Sequence, residues 1–359
     1  MFYFILLSIF IFVALLDFSN RSSKATFVFI LGALLVLVAG TRSGVGFDYE
    51  SYQDNFKYFS DFDSVFKGNK EIGFSLLNYF FNRLSSDFGL FLLLCAFISI
   101  FSKLIFIYKY GEFPFIALIV YVGGYFLFGE MGQFRQMFAL SFCLLATHYL
   151  IVDRRKSFYF WVLIATLFHA TSIAYLLVPR FVDSKISTRI KVIIPVFAGC
   201  LALAFLPLQN VIYSLINVLK FFGFGYADYL LYMLQNQGAL DQPGTLSFGF
   251  VIKMMFFFCA LFLCYKSSNY EHRIVANIYV VGYLIMLSLY SIQIVAGRMS
   301  ESFVFMEVLV LGYIISFMKP RLLGYLIVLF VVVLYSFLKM SLMISHSSGA
   351  YMYYNSWLF

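Results

Sequence analysis

Four polar stretches interrupt a chain that is otherwise apolar, and three of them carry an arginine. They are GTRSGVGFDYESYQDNF at 40–56, GEMGQFRQ at 129–136, the segment around His169, and QIVAGRMSES at 293–302. A guanidinium group binds phosphate oxygens through two parallel hydrogen bonds and stays charged where the dielectric constant is low. Arg42, Arg135 and Arg298 would therefore suit a pyrophosphate held at a membrane surface, although an anion transporter would use the same chemistry.

The charged residues of the first two stretches also have structural interpretations. Arg42 could extend its head group to water from the end of a helix. Asp48 could cap a helix that begins at Tyr49. Glu130 could form an ion pair with its neighbour Arg135. The sequence alone leaves these alternatives open.

His169 and Arg298 present a similar choice. His169 could be a core histidine with satisfied hydrogen bonds, and Arg298 could anchor a helix at the membrane interface. Ionisable groups near membrane depth are costly, however, and they usually indicate function. The topology predicted from the loops places three arginines and this histidine on one side, so we predict that they share a functional site.

The elements that must position these residues are membrane helices. The chain has 359 residues, of which 63% are hydrophobic and 12% are charged. Soluble domains are about 45–50% apolar and about 25% charged. Apolar runs of about 20 residues, each long enough to cross the hydrocarbon core as a helix, recur throughout. A β-barrel would instead show short alternating segments. We predict an all-α polytopic membrane protein with a single domain over residues 1–359.

Ten apolar runs are predicted to span the membrane completely. They cover residues 2–17, 25–40, 88–108, 114–129, 132–151, 191–206, 247–265, 274–294, 299–318 and 322–344. The first run lacks a basic start and a small-residue cleavage site, so we interpret it as a retained span. The five cysteines fall in apolar runs without metal-ligand spacing, which indicates core packing. The net charge of +8 lies mostly in short loops, so we expect no nucleic-acid partner.

Short basic loops determine the predicted orientation, because Lys and Arg collect on the cytoplasmic side. The basic loops at 154–156 and 180–191 satisfy this rule only if they lie on the same side. We therefore predict that residues 157–179 enter the membrane and return as two half-helices, with the turn near His169–Thr171. A single ordinary span, which hydropathy alone favours, is the alternative.

Two long loops then face the outside, together with both termini. They comprise residues 41–87 and 207–246. The first contains the amphipathic segment Ile72–Leu84, and the second contains the apolar segment NVIYSLINVLKFFGFGYADYLLYML. For both segments we predict helices that lie in the outer membrane interface.

The polar motifs, in this order, resemble those of the EpsG/Wzy group of polysaccharide polymerases. TRSGVGFDYESYQDNF resembles the first outer-loop signature of that family, and QFRQMFALSFCLLA resembles its Arg-Gln helix start. LIATLFHATSIAYLL resembles its Phe-His segment between small residues, and GRMSESFVFMEVLVLGY resembles its late arginine segment. The order and spacing match over most of the chain. Glu130 and Met131 depart from the family pattern, which leaves a role for Glu130 without support.

The resemblance implies a bacterial inner-membrane glycosyltransferase with its active site on the periplasmic, outer side. It would join undecaprenyl-pyrophosphate-linked oligosaccharide repeat units into an O-antigen, capsule or exopolysaccharide. The implied fold is similar to the GT-C class of integral-membrane glycosyltransferases. The expected partners are the lipid-linked oligosaccharide, membrane lipid and a chain-length regulator protein. We expect no cofactor and no metal.

For that reaction each candidate residue is assigned a role. Charge on the leaving pyrophosphate would be stabilised by Arg135 and Arg298, with Arg42 as a third cation. His169 would take the proton of the attacking hydroxyl, since imidazole ordinarily titrates near neutrality. Asp48 would orient His169 or the sugar, or serve as the base itself. The contacts to sugar rings are assigned to Tyr49, Tyr52 and Gln136. A single displacement would invert the anomeric carbon.

Three other functions remain open. A flippase or transporter for the same lipid-linked sugar would carry charges along a path through the membrane. An O-antigen ligase-like transferase would share the chemistry and the outer arginines. A membrane acyltransferase would use a buried histidine such as His169 but would not need the arginines. The collection of charges on one side and the family-like motifs favour the polymerase.

Overall fold

Two compact helical units make up the part of the chain that the computed structural model describes. The described residues are 1–68, 70–184, 189–206 and 248–358, with a few positions between 213 and 220. The first unit comprises Met1–Leu176 and Glu307–Phe359, and the second comprises Leu177–Met306. The single domain over residues 1–359 stays a prediction.

The first unit consists of helices that precede and follow the second unit in the chain. They are α1 (Phe2–Val13), α2 (Arg21–Gly40), α3 (Tyr49–Tyr58), α4 (Phe62–Lys67), α5 (Ile72–Leu84), α6 (Phe88–Tyr110), α7 (Pro114–Tyr121), α8 (Phe134–Ile151) and α9 (Arg155–Phe168). A 3₁₀ helix, Ala14–Phe18, follows α1, and a π-helical segment, Val122–Gly132, continues α7. The helices α10 (Val178–Ser184), α11 (Ile190–Ala204), α12 (Phe248–Lys266), α13 (Tyr270–Ser288) and α14 (Gln293–Val304) follow in the second unit. The chain then returns to the first unit with α15 (Glu307–Ile315) and α16 (Arg321–Ser345).

Among the residues that the structure describes, six helices are long and apolar enough to cross a membrane. They are α2, α6, Pro114–Gly132, α8, Gly249–Lys266 and α16. Shorter apolar helices accompany them, at Phe2–Phe18, Ala170–Val182 and Lys191–Ala204. The protein is therefore a multi-pass helical membrane protein, and the number of ten complete spans stays a prediction. The predicted span 299–318 is interrupted, because α14 ends at Val304 and α15 begins at Glu307.

Side-chain caps explain where two of the long helices begin. Asn20 accepts a hydrogen bond from the backbone N–H of Ser23 at 2.8 Å, at the start of α2. Asp87 accepts from the N–H groups of Gly89 and Leu90, at 2.7 and 3.2 Å, at the start of α6. These bonds satisfy donors that a helix leaves unpaired in its first turn. The two capped helices pack against each other, and α6 also packs against α8.

The amphipathic helix of the loop 41–87 is present as α5, with the predicted bounds Ile72–Leu84. It packs against α9, and Gly73 permits the close approach. A Cβ atom at Gly73 would lie 2.7 Å from the carbonyl oxygen of Leu167, closer than real Cβ atoms come to backbone. The packing brings the start of α5 to the end of α9. Its position in a membrane interface stays a prediction.

The chain reverses direction at His169, as the charge pattern predicts. Helix α9 ends at Phe168, His169 has an extended backbone (φ −153°, ψ 113°), and a 3₁₀ helix, Ala170–Leu177, follows. The returning chain lies along α9, because the ring of Tyr175 stacks on that of Phe158 with a centroid distance of 6.1 Å. The break and the reversal are thereby confirmed, and their depth in a membrane stays a prediction.

In the second unit, α13 packs against α10, α11, α12 and α14. The hydroxyl of Tyr279, on α13, donates to the backbone carbonyl of Lys253 on α12 at 3.2 Å. The interfacial helix predicted within residues 207–246 lies outside the described residues, apart from the few positions named above.

Candidate active site

A carboxylate that the sequence motifs do not include lies at the centre of the predicted site. Glu71 Oε2 is 2.5 Å from Arg135 Nη1, and Glu71 Oε1 is 3.5 Å from His169 Nδ1. The backbone N–H of Ala170 also donates to Oε1, at 3.4 Å. Glu71 therefore joins the start of α8 to the break that follows α9.

Helix ends position these three side chains. Glu71 occupies the N-cap position of α5, where the positive end of the helix dipole favours a carboxylate. Arg135 lies in the first turn of α8, where the same dipole disfavours a cation. His169 is in the extended residue between α9 and the 3₁₀ helix. The carboxylate thus offsets an unfavourable placement of the arginine.

The environment of Glu71 keeps it ionised. Burial would raise the pKa of Glu71, but the interaction with His169 and the charge of Arg135 outweigh burial and lower the pKa to about 2. The side chain is 20% exposed, so some solvent reaches it. At any pH near neutrality the group is a carboxylate that can hold both a guanidinium and an imidazole.

Tyr52 extends the polar network on the other side of Arg135. Its hydroxyl donates to Asp48 Oδ2 at 3.4 Å and interacts with the Arg135 guanidinium. Burial raises the pKa of Tyr52 to about 12, so its hydroxyl keeps its proton. The polar network therefore runs in order through Asp48, Tyr52, Arg135, Glu71 and His169. Four of these five residues are predicted site residues, and the structure brings them together in the first unit.

Arg135 retains a donor for a ligand. Its guanidinium lies over the ring of Phe74, 5.5 Å from the centroid. Its Nε is buried and has no hydrogen-bond acceptor among the described residues. Because Glu71 engages only Nη1 among the pairs given above, the group can contact an anionic oxygen while it remains paired with the carboxylate.

Arg42 does not extend its head group to water, so its interpretation as a snorkelling side chain is wrong. It is 1% exposed, because its guanidinium turns back into the loop. Nε donates to the carbonyl of Val45 at 3.2 Å, and Nη1 donates to the carbonyl of Ala39. Nη2 is buried without an acceptor in the described part of the chain. Burial lowers the pKa of Arg42, and the nearby Tyr351 opposes that shift.

The segment after α16 covers the loop that carries Arg42. The N–H of Ser43 donates to the carbonyl of Asn355 at 2.9 Å, and the N–H of Trp357 donates to the carbonyl of Thr41 at 2.9 Å. Arg42 and Ser356 form an antiparallel bridge between these bonds. The late polar segment is therefore part of the wall around Arg42.

The other predicted site residues occupy different positions. Asp48 stands at the N-cap position of α3, which begins at Tyr49 as the helix-cap interpretation predicts, but its side chain accepts no capping hydrogen bond. Tyr49 packs against Phe88 and lines a separate cleft. Gln136 is buried on α8. Arg298 lies on α14 in the second unit, and its role as a pyrophosphate ligand stays a prediction.

The alternative pairing of Glu130 with Arg135 is also wrong. Glu130 Oε1 lies 2.9 Å from Lys103 Nζ and accepts a hydrogen bond from the Tyr121 hydroxyl at 2.8 Å. Ser99 donates to Oε2 at 2.8 Å. Both charged side chains are buried, and the pair connects α6 to the π-helical segment. A lysine inside a predicted span needs a buried partner, and that signal points to Lys103.

Sequence reasoning missed Glu71 because no motif contains it. The available signal is weaker: Glu71 is an acid directly before an amphipathic helix, in the same loop as Arg42 and Asp48. No group of three or more His, Cys, Asp or Glu side chains that could hold a metal occurs within the described ranges. The expectation of a metal-free reaction stays a prediction.

Comparison with protein families gives a match over most of the chain. A family model with the description EpsG family matches residues 25–356, a range that contains the whole polar network and Arg298. No curated protein and no solved structure matches the chain.

Proposed function

We propose that this protein joins undecaprenyl-pyrophosphate-linked oligosaccharide repeat units into a surface polysaccharide, because the chain belongs to the EpsG family of Wzy-like polysaccharide polymerases. The reaction takes place on the outer face of a bacterial inner membrane, on a GT-C-like helical scaffold. Membrane lipid and a chain-length regulator protein are the proposed partners.

The proposed reaction is one displacement at a sugar carbon. The hydroxyl oxygen of the acceptor sugar attacks the anomeric carbon of the donor chain and forms the new glycosidic bond. The bond from that carbon to the pyrophosphate oxygen breaks, and the lipid pyrophosphate leaves with the electron pair. The hydroxyl proton passes to a base on the protein. Attack opposite the leaving group inverts the anomeric carbon.

The observation that carries the proposal is the pairing of one carboxylate with both a base and a cation. Glu71 Oε1 lies 3.5 Å from His169 Nδ1, so the carboxylate favours the tautomer that carries its proton on Nδ1 and leaves Nε2 to accept a proton. When His169 becomes an imidazolium, the same carboxylate stabilises it. A positioned base of this kind contributes about 10²–10⁴-fold to a rate.

Arg135 serves the leaving group. Its unpaired Nε can donate to a pyrophosphate oxygen, and a fixed cation near that oxygen stabilises the charge that develops in the transition state. Arg42 supplies a second buried guanidinium with an unpaired Nη2. Arg298 is the third proposed cation. Asp48, Tyr49, Tyr52 and Gln136 are the proposed sugar contacts.

The test uses purified protein in detergent with a lipid-linked repeat unit prepared from cells that make the polysaccharide. The wild type should give a ladder of oligomers on a gel. His169→Ala and Arg135→Lys should leave mostly single repeat units, because the first lacks the base and the second lacks the planar fork. Arg83→Ala is the matched control, since Arg83 is an exposed arginine on α5 whose guanidinium lies over the ring of Tyr79.

Two results would overturn the assignment at different levels. A wild type that elongates no lipid-linked repeat unit removes the polymerase proposal. A complete ladder from His169→Ala removes only the histidine from the chemistry. Thermal unfolding of each variant in the same detergent shows whether a loss of product reflects a loss of fold.

A further inference from the structure

A cleft of about 440 Å³ opens in the first unit beside helix α3. Its wall includes Ser43, Tyr49, Gln53, Lys57, Asp87 and Trp357. Tyr49 and Gln53 lie one turn apart on α3, and Tyr52 and Asp48 of the polar network lie on a neighbouring face of the same helix. The helix therefore contributes to two places that a long ligand could reach together.

Trp357 is a fixed aromatic surface in this cleft. Its backbone N–H donates to the carbonyl of Thr41 at 2.9 Å, and its indole Nε1–H donates to the carbonyl of Gly40 at 3.3 Å. Gly89 allows the ring to pack on the start of α6, because a Cβ there would lie 2.8 Å from Trp357 Cε2. The residue nevertheless remains 38% exposed. A large ring that is held on its edges and open to solvent is suited to contact a ligand.

The polar groups around the ring are balanced in charge. Lys57 and Asp87 contribute one charge of each sign, while Gln53 and Ser43 contribute neutral donors and acceptors. An anionic head group would be favoured by a surplus of cations, which this wall does not have. The lining also includes Ser43, Gln53, Lys57, Ser86 and Asp87, and so many polar side chains do not suit a lipid tail.

A sugar ring fits this combination. It presents an apolar face of C–H groups and a rim of hydroxyls, and aromatic residues with neutral polar neighbours match both parts. We propose that the cleft beside α3 is a second saccharide-binding site, which holds units of the polymer away from the reacting bond. This proposal rests on the proposed function, since it takes the product of that reaction as its ligand.

Holding the polymer would affect its length. A chain that stays bound in the cleft after one addition remains at a high effective concentration near the reacting groups. The addition of a further repeat unit then competes more effectively with release of the polymer from the enzyme. The site therefore favours long products.

Binding is tested with the fluorescence of Trp357. The chain contains two tryptophans, so Trp161→Phe leaves Trp357 as the single tryptophan, which is excited selectively at wavelengths that tyrosine does not absorb. The probe is polysaccharide from the producing cells, freed from lipid by mild acid and cut to short oligosaccharides. It should change the fluorescence in a saturable way. In the same background Gln53→Ala should weaken binding about threefold to tenfold, as expected for the loss of a neutral hydrogen bond. Asp54→Asn, on the exposed side of α3, is the matched control and should bind as before.

Product length is the second measurement. Gln53→Ala and Trp357→Ala should both shift the ladder of the purified enzyme toward shorter products, while Asp54→Asn should not. If Trp357→Ala unfolds because the late segment detaches, Gln53→Ala still decides the result. If Gln53→Ala gives the same ladder as the wild type and the oligosaccharide leaves the fluorescence of Trp357 unchanged, the cleft proposal is overturned. A wild type that makes no polymer but binds the oligosaccharide overturns the proposed function and leaves the cleft as a saccharide site.

Discussion

The carboxylate of Glu71 lies 2.5 Å from the guanidinium of Arg135, although 64 positions of the chain separate the two residues. The same carboxylate is 3.5 Å from the imidazole of His169, which belongs to a third segment. One acidic residue therefore holds the group that we assign to the leaving pyrophosphate and the group that we assign to the proton. A substitution at Glu71 should therefore impair both the stabilisation of the leaving pyrophosphate and the transfer of the proton.

Glu71→Gln should lower polymer synthesis without removing any residue that contacts substrate. The amide keeps the size of the side chain but loses the charge that holds Arg135 and His169. Hydrogen bonds to charged groups contribute about 1.5–3 kcal/mol, so the rate should fall about tenfold to a hundredfold. The measurement is the initial rate of repeat-unit consumption by purified protein.

The matched control for this change is Glu50→Gln. Glu50 is an exposed acid on α3 that carries the same charge. It should retain the wild-type rate. Equal losses in both variants would indicate a general effect of net charge and would contradict the specific role of Glu71.

The contribution of Glu71 to stability should depend on pH in a defined window. The pKa of this carboxyl is about 2 in the folded protein, against 4.5 for an ordinary glutamate. A carboxyl with a lowered pKa stabilises the fold fully above pH about 4.5, and the stabilisation disappears as the pH falls toward 2. The shift corresponds to about 3 kcal/mol.

Thermal unfolding in detergent from pH 7 to pH 3 measures this effect. The difference in midpoint between the wild type and Glu71→Gln should be present at pH 5 and should shrink as the pH falls below 4.5. A difference that grows below pH 4.5 would have the wrong sign for a carboxylate paired with cations. It would show that the pairing is absent in solution.

Gly73→Ala should reduce activity through the position of α5. The added Cβ would collide with the carbonyl of Leu167 on α9, and the two helices would have to separate. Glu71, two residues earlier, would then withdraw from His169. We expect a loss of rate similar in direction to that of Glu71→Gln. The measurement is again repeat-unit consumption.

Gly199→Ala is the control for Gly73→Ala. A Cβ atom at Gly199, on α11, would have no neighbour within 4 Å. Alanine is a better helix former than glycine, so this variant should be as stable as the wild type or slightly more stable. If Gly73→Ala also retains full activity, the contact between α5 and α9 does not position Glu71.

The buried pair Lys103–Glu130 should behave as a unit. Removing one partner leaves an uncompensated charge among apolar helices, which costs about 3–5 kcal/mol. Lys103→Met and Glu130→Gln should each lower the midpoint of thermal unfolding strongly. The double variant should lose much less than the sum, since it leaves no charge unpaired. Additive losses in this double-mutant cycle would show that the two side chains do not interact.

Most helices of this protein follow from its sequence because hydropathy and charge act locally. Apolar length predicts α2, α6, α8 and α16, and amphipathic spacing predicts α5 with its observed bounds. The reversal at His169 has a different origin. Two basic loops flank one apolar segment, and both loops must lie on the same side of the membrane. The order of charges along the chain is sufficient for this prediction.

The partners of charged residues could not be read in the same way. Glu130 has an arginine close by in sequence, but it pairs with Lys103 on another helix, because the pair forms inside the packed bundle. Glu71 acquires its position from the approach of α5 to α9 at Gly73, which no pattern in the loop reveals. The orientation of Arg42 depends on the carbonyl of Val45 in its own loop and on that of Ala39 at the end of α2.

The pairing of the Arg42 loop with the late segment has a consequence for biosynthesis. The hydroxyls of Thr41 and Tyr354 lie 3.2 Å apart, yet 313 positions separate them. A ribosome therefore delivers the loop long before its partner, and the loop waits unpaired while the intervening helices are inserted. Until residues 354–357 are made, the surroundings of Arg42 are open to water. The wall around Arg42 is therefore completed only after the helices that lie between the two segments have been made.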